Sequence, residues 1–345
     1  MGNKAEVMVA VICYNHEAYI AQCLDSVFMQ QCDFEYKVCV YDDCSTDRSM
    51  DIARSYQDKY GERLLIVQPE TNQHKLGIYS GSLRNFLKVN DAKYMAFCEA
   101  DDYWTDNTKL QRQYDAMERN QNTTLCVCNI ELKDVENNIS VGTVPGKIPD
   151  DWSKEEIINR ILTYDISFRL NGYMIRMSIF DDTDIYNDYW NYWAWDNALV
   201  SYCLLHGDFA FVEKCMSVKR VNNEGSFSRK YSIEMDAKWQ MGIFEKDFRW
   251  IQEFQKIAEG KYDDLIKYFV TYRKVRMYYL ERNKLKENSL VSNVNGKMYT
   301  NEFLRKLNRL YIRFIRALYH NNECRFVQQK ANWMEKEWNR LQQLS

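Results

Sequence analysis

The segment Phe97 to Trp104, FCEADDYW, crowds Glu99, Asp101 and Asp102 into four positions at the end of an apolar run. Ionising three neighbouring carboxylates is costly unless water or a cation screens them, and a metal ion is the usual screen. A solvated turn at a strand end accounts equally well for an isolated acidic triplet, so the surrounding elements decide between the two. Two further polar groups stand in the same kind of place. Cys13, Tyr14 and Asn15 follow the run VMVAVIC, and Asp42 and Asp43 end the run YKVCVYD, ahead of Ser45, Thr46 and Asp47. In the latter a hydroxyl can cap the next helix and a carboxylate suits its N-terminus, which explains Ser45 to Asp47 and leaves Asp42 and Asp43 unexplained.

The elements that must position these groups alternate. Apolar, β-branched or aromatic runs begin at Val7, Tyr36, Leu64, Tyr94 and Leu125. Between them EAYIAQCLDSVFMQ, DRSMDIARSYQDKY, YSGSLRNFLKVN and NTKLQRQYDAMERN carry apolar residues at helical spacing. The starts lie roughly thirty residues apart, the size of one strand-plus-crossover unit, which predicts a mostly parallel sheet covered on both faces. Ligands of such sheets bind beyond the carboxyl ends of the strands, where all three polar groups fall. Past residue 150 the pattern becomes more helical. The prolines are Pro69, Pro145 and Pro149, helices are expected at 153–165 and 195–206, and short strands at GYMIR, FAFVE and MSVKRV. A boundary is expected near residue 228, with 229–345 helical almost throughout.

Composition narrows the classes. With 345 residues, 46% of them apolar, the chain can bury a sizeable core, and a net charge of −3 gives no general field for nucleic acid. Eleven cysteines without a C-x-x-C pair, several in apolar company, predict buried reduced thiols and a cytosolic setting rather than a disulfide framework. The four histidines (His16, His74, His206, His320) are not spaced with cysteines as in a zinc site. No apolar run approaches the roughly 18 residues of a membrane span, so membrane contact is expected to be peripheral. The N-terminus matches neither a signal peptide nor a myristoylation signal, Glu6 standing where Ser or Thr is needed.

Taken in order, VAVICYNHEAYIAQCLDSV, VYDDCSTD, the stretch Asn72 to Asn85 and FCEADDYW resemble family two of the inverting nucleotide-sugar glycosyltransferases over residues 7 to 120. The resemblance implies a GT-A fold: an α/β, Rossmann-like, mostly parallel mixed sheet with flanking helices over residues 1–228. Its nucleotide-binding half covers about 1–120 and its acceptor half about 121–228, and the C-terminal α-helical region 229–345 follows. It implies that Cys13, Tyr14 and Asn15 line a nucleotide pocket, that an aspartate of the Asp42-Asp43 pair accepts a hydrogen bond from the base, usually uracil, and that Asn72, Gly77 and Arg84 lead a glycine-containing loop into a helix facing the nucleotide. Arg84 pairs either with phosphate or an acidic residue, or is a surface helix arginine. The acidic triplet resembles the family's D-x-D motif with Glu99 for the first aspartate. Asp101 and Asp102 are then the expected ligands of Mn²⁺ or Mg²⁺, Asp101 also belongs to the donor site, and Glu99 faces sugar or ribose. Cys44 stands where glycine is common.

Inversion also requires a base for the acceptor hydroxyl. The family carries a carboxylate at the start of a downstream helix, and Asp196 in YWAWDNALVSYCLLHG matches it, with Gly207 closing that helix and Asp184 and Asp188 in reserve. A plain helix cap is the competing role for Asp196. Trp104, Trp190, Trp193 and Trp195 are candidate sugar platforms, Trp195 the favoured one, against the ordinary fate of tryptophan in a core. In CMSVKRVNNEGSFS, Arg220 keeps the arginine of the family's diphosphate-closing segment, whereas Asn222 replaces its histidine.

The expected activity is therefore metal-dependent transfer of a sugar, from a UDP-sugar first of all, to a glycan or lipid-linked hydroxyl in cell-surface polysaccharide synthesis, at the inner face of a membrane. A dehydrogenase is excluded because C-Y-N-H-E-A stands where G-x-G-x-x-G is required. A non-catalytic nucleotide-sugar-binding assembly subunit is the alternative. Near the C-terminus, Arg305, Arg309, Arg313 and Arg316 form a basic stripe beside Leu304, Leu307, Tyr311, Phe314, Ile315 and Leu318, either a solvated face of a packed helix or a contact for anionic lipid.

Overall fold

The computed structural model describes residues 5–78, 80–162, 166, 168–181, 190, 195–222, 248–263 and 266, with the side chains of Trp195 and Asn197 outside that description. The first strand, β1 (Val7–Cys13), is buried at every residue but half-buried Ile12, as befits a strand covered on both faces. Its neighbours are β2 (Tyr36–Asp42) and β4 (Tyr94–Glu99), and β3 (Leu64–Val67) lies outside β2. All of these pairings are parallel.

Alternation divides the side chains between two apolar layers. Met8, Ala10, Cys39, Tyr41, Met95 and Phe97 face α3 (Gly81–Val89), α5 (Lys154–Leu162), α6 (Trp195–His206) and a helical segment at 248–257 through Trp250, Ile251 and Phe254. Val7, Val9, Val11, Val38, Val40, Ala96 and Cys98 face α1 (Ile20–Phe28), α2 (Ser49–Tyr60) and α4 (Lys109–Glu118). Each fully buried Val, Leu or Phe in these layers contributes about 1.5–3 kcal/mol relative to exposure.

The sheet continues through β8 (Tyr173–Arg176), β6 (Thr123–Asp134), β9 (Asp208–Val221) and β5 (Tyr103–Trp104), and the edge strand β7 (Ile139–Val144) pairs with β6. Antiparallel β8 turns the sheet from parallel to mixed. The two short runs expected at FAFVE and MSVKRV are a single strand, β9, because shifts of register against β6 at Cys128 to Ile130 let the chain continue through its exposed middle. Among the described residues no helix is long and apolar enough to cross a membrane. The boundary near residue 228 and the basic stripe at Arg305, Arg309, Arg313 and Arg316 lie outside the described residues.

Two consequences of this order position the site. The chain runs from β1 outward through β2 and β3, then returns to place β4 on the other side of β1, so a crevice opens beyond their carboxyl ends. The parallel register sets Cys13 opposite Asp42 and Ile12 opposite Glu99. Sequence groups thirty to ninety positions apart therefore end at one level, on one rim.

Gly207 closes α6 for want of space. A Cβ there would stand 2.2 Å from the Thr124 Cγ2 and 2.3 Å from the Asn122 carbonyl oxygen, where the next residue's N–H bonds the same carbonyl at 2.8 Å. Gly207→Ala must push β6 and β9 apart, and is expected to destabilise the fold by about 1–3 kcal/mol, the usual cost of overpacking, read as a lowered urea midpoint.

Candidate active site

The rim is built by hydrogen bonds between loops. Asn15, in the left-handed region at φ 55°, donates its N–H to Ser45 Oγ at 2.8 Å and accepts the Thr46 N–H at 2.7 Å. Asn tolerates that backbone conformation better than most residues. Asp47 accepts the N–H groups of Ser49 and Glu17, so a carboxylate, and not a hydroxyl, caps the start of α2. The Ser45 hydroxyl is occupied by Asp42 and Asn15. Cys44 adopts φ 64°, the conformation for which glycine is common, and its thiol donates to the Pro69 carbonyl at 3.0 Å. Cys13 is fully buried, and burial, reinforced by Asp42, pushes its thiol up to about 12, leaving it an inert wall.

Asp42 and Asp43 acquire structural partners that their positions in the sequence do not show. Asp42 accepts the N–H and hydroxyl of Ser45 and the Gln68 amide. Asp43 accepts the Tyr41 hydroxyl at 2.9 Å and the N–H groups of Gln73 at 2.8 Å and His74 at 3.0 Å. Asn72 donates to the Asp43 carbonyl at 2.6 Å and accepts the Lys75 N–H. Asp43 thus anchors the loop that turns at Gly77, φ 78°, and leads into α3, whose first turns carry half-buried Arg84. Over this loop Lys75 lies 5.8 Å from the centre of the Tyr14 ring.

On the other side of the crevice the carboxylates expected to share a cation differ. Asp102 is fully buried: one oxygen accepts the Arg220 N–H at 2.8 Å, and the other lies 3.4 Å from the Lys219 ammonium. Lys219 also bonds Glu99 at 2.5 Å. The Asp101 carboxylate is partly exposed, and among the described residues no side chain bonds it. Arg220 bonds the Asp101 carbonyl and Gln22, with its guanidinium over the rings of Tyr19 and Tyr103. Asn222 donates to Asp134 at 2.8 Å.

Asp196 reaches this cluster from the first turn of α6. Burial first, then the negative charge of Glu99, raise it to about 6, against the pull of Lys219 and Arg169. The hydroxyl of fully buried Tyr173 has no hydrogen-bond partner among the described residues, and burial followed by the charge of Asp196 raises it. Asp102 is raised by burial, then lowered by Lys219 and raised by Asp101 and Glu99, for a net upward shift. Burial opposes the charge of Lys219, but Asp102, Glu99 and Asp101 outweigh it and hold the ammonium above its ordinary value.

The structure brings together Glu99, Asp101, Asp102, Arg220 and Asp196, and groups Cys13, Tyr14, Asn15, Asp42, Asp43, Asn72 and Gly77 on the facing loops. Trp104 and Trp190 are buried in the core and serve as no platform. Asp184, Asp188, Trp193 and the Trp195 side chain lie outside the described residues. Lys219, beside Arg220 in CMSVKRVNNEGSFS, and Tyr173, in GYMIR, were not singled out as site residues; the signal for the lysine was the need of a buried acidic group for a nearby cation. Every cysteine among the described residues is free.

A mixed sheet, a rim at its switch point and converging carboxylates define a nucleotide-sugar transferase architecture. The chain belongs to glycosyl transferase family 2, whose model matches residues 8–183, and its fold is GT-A. Poly(ribitol-phosphate) beta-N-acetylglucosaminyltransferase TarS of Staphylococcus aureus is 29% identical over 182 residues, 52% of this chain and 29% of that protein. An uncharacterized protein of Mycobacterium tuberculosis is 34% identical over 118 residues, 34% of this chain and 33% of its own. The matched region thus spans about a third of the length of these relatives. Among solved structures, S. aureus TarS in complex with UDP-GlcNAc superposes with a TM-score of 0.52 at 17% identity, over 82% of this chain and 91% of that one. A mannosyltransferase from Pyrobaculum calidifontis in complex with GDP-Man and Mn²⁺ gives 0.54 at 12% identity, over 96% and 85%.

Asp43→Ala leaves the Gln73 and His74 N–H groups without their acceptor. The expected loss is about 1–3 kcal/mol of stability, with a smaller loss for Asp43→Asn, which keeps one carbonyl oxygen; chemical denaturation distinguishes the two.

Proposed function

We propose that this chain transfers a sugar from a nucleotide-linked donor, a UDP-sugar first of all, to a hydroxyl of a glycan, polyol-phosphate or lipid-linked acceptor, with inversion at the anomeric carbon. The observation that carries the reading is the convergence of Asp196, held near 6, on the acidic strand end at the switch point. UDP-GlcNAc in the TarS structure supports the donor class, and the relative's action on poly(ribitol phosphate) supports the acceptor class.

In this reading the loop anchored by Asp43 and the strand ends at Cys13 to Asn15 and Asp42 enclose the nucleotide. Asp196 accepts the proton of the acceptor hydroxyl as its oxygen bonds the anomeric carbon, and the bond from that carbon to the diphosphate oxygen breaks with its electron pair on the diphosphate. Glu99 lies close enough to Asp196 to raise its affinity for that proton. Partly exposed Asp101, unbonded by any described side chain, fits a divalent cation, whereas Asp102 is already held by Lys219 and Arg220. Mn²⁺ or Mg²⁺ at Asp101 and the donor's diphosphate would supply neutralisation of the departing charge.

Asp196→Asn is expected to retain UDP affinity while turnover of the UDP-sugar falls about a hundredfold or more, the usual scale of general-base catalysis. Loss of folding, or unchanged turnover, would return Asp196 to a capping role. Asp101→Ala is expected to abolish the metal-dependent part of UDP binding measured by calorimetry, and retention of that part would remove Asp101 from the cation site.

The raised value at Asp196 has a definite sign. Protonated Asp196 cannot accept a proton, so turnover in the parent should fall by about tenfold per unit as pH drops below about 6, and level off above it. A rate flat through pH 5 to 7 would contradict the assignment.

A further inference from the structure

Glu99, Asp101, Asp102 and Asp196 converge on one crevice, yet two of these carboxylates already share a cation. The Lys219 ammonium lies 2.5 Å from Glu99 and 3.4 Å from Asp102, on a side chain only 18% exposed. The second Asp102 oxygen is taken by the Arg220 N–H. A hard divalent ion replaces its water only where several anionic oxygens are available to it. Here Glu99 and Asp102 face an ammonium, and a doubly charged ion placed between them would meet that ammonium at close range. Among the described residues, no three His, Cys, Asp or Glu side chains are arranged to hold a metal ion.

We infer that Lys219 is the resident cation of the acidic triplet and a positioning residue of the donor site. It bridges Glu99 and Asp102 and fixes their places, prevents the pair from binding a divalent ion by itself, and leaves Asp101 with the diphosphate as the place where such an ion enters. Metal binding then depends on nucleotide. This inference rests on the donor-site reading above.

The test counts bound Mn²⁺ by electron paramagnetic resonance on the full chain, first without nucleotide, in the parent, Lys219→Met and Lys219→Arg. The parent and Lys219→Arg should bind Mn²⁺ weakly and alike. Lys219→Met, with Glu99 and Asp102 released to join Asp101, should bind about tenfold tighter or more, well within what a unit charge at this range exerts. Equal affinity in all three overturns the inference. If Lys219→Met does not fold, the parent and Asp102→Asn decide: Mn²⁺ bound by the parent without nucleotide and lost in Asp102→Asn overturns it, and the absence of such binding supports it. Adding UDP should create Mn²⁺ binding in the parent. Failure of UDP itself to bind counts against the donor-site reading, while the nucleotide-free comparison still judges Lys219.

Discussion

The buried carboxylate of Asp102 is the constraint on which the site depends. Taking a carboxylate fully out of water costs several kcal/mol unless charge and hydrogen bonds replace the lost hydration. Here the replacement comes from β9, 117 and 118 positions along the chain: the Lys219 ammonium and the Arg220 N–H. Meeting that requirement draws the end of β9 against the loop after β4, and the Arg220 guanidinium extends the tie to the Asp101 carbonyl and to Gln22 of α1. One buried charge thereby joins the strand ends of the parallel half of the sheet to a strand of the mixed half.

The same tie orders the electrostatics. Lys219 and Arg169 act on Asp196 against the negative charge of Glu99, so the effect of that charge is felt only in part. Asp196 settles near 6, between an ordinary carboxylate and a neutral acid. On the facing rim Asp43 does for backbone N–H groups what Lys219 does for carboxylates, satisfying Gln73 and His74 so that the loop before α3 keeps one course. Both sides of the crevice are thus held by side chains whose bonds are made before any ligand arrives, a form of preorganisation.

Much of this was legible in the sequence, for a physical reason. Strands buried on both faces must be continuous apolar runs, and VMVAVIC, YKVCVYD and YMAFCE are such runs; parallel pairing then forces their polar ends to one level. The parallel half of the sheet and the place of the acidic triplet follow from that, whereas the GT-A architecture was implied by the resemblance of the motifs to the family. Long-range partnership was not legible. Nothing near Asp43 in sequence reveals that N–H groups thirty positions on return to it, and nothing near Asp102 reveals Lys219. Arg220 was noticed because the family segment carries an arginine there, whereas Lys219 beside it, which carries the ion pairs, is not a residue that the resemblance marks. β9 read as two pieces because its exposed middle interrupts the apolar pattern. Trp104 looked like a platform beside the acidic triplet, but its strand, β5, turns it into the core.

The central claim is a single displacement in which Asp196 takes a proton on the side of the anomeric carbon opposite the diphosphate. Proton NMR of the anomeric position, recorded as an α-linked UDP-sugar is turned over, tests it most directly. The account predicts that the first product formed, on acceptor or on water, is the β anomer. An α product formed first would contradict it.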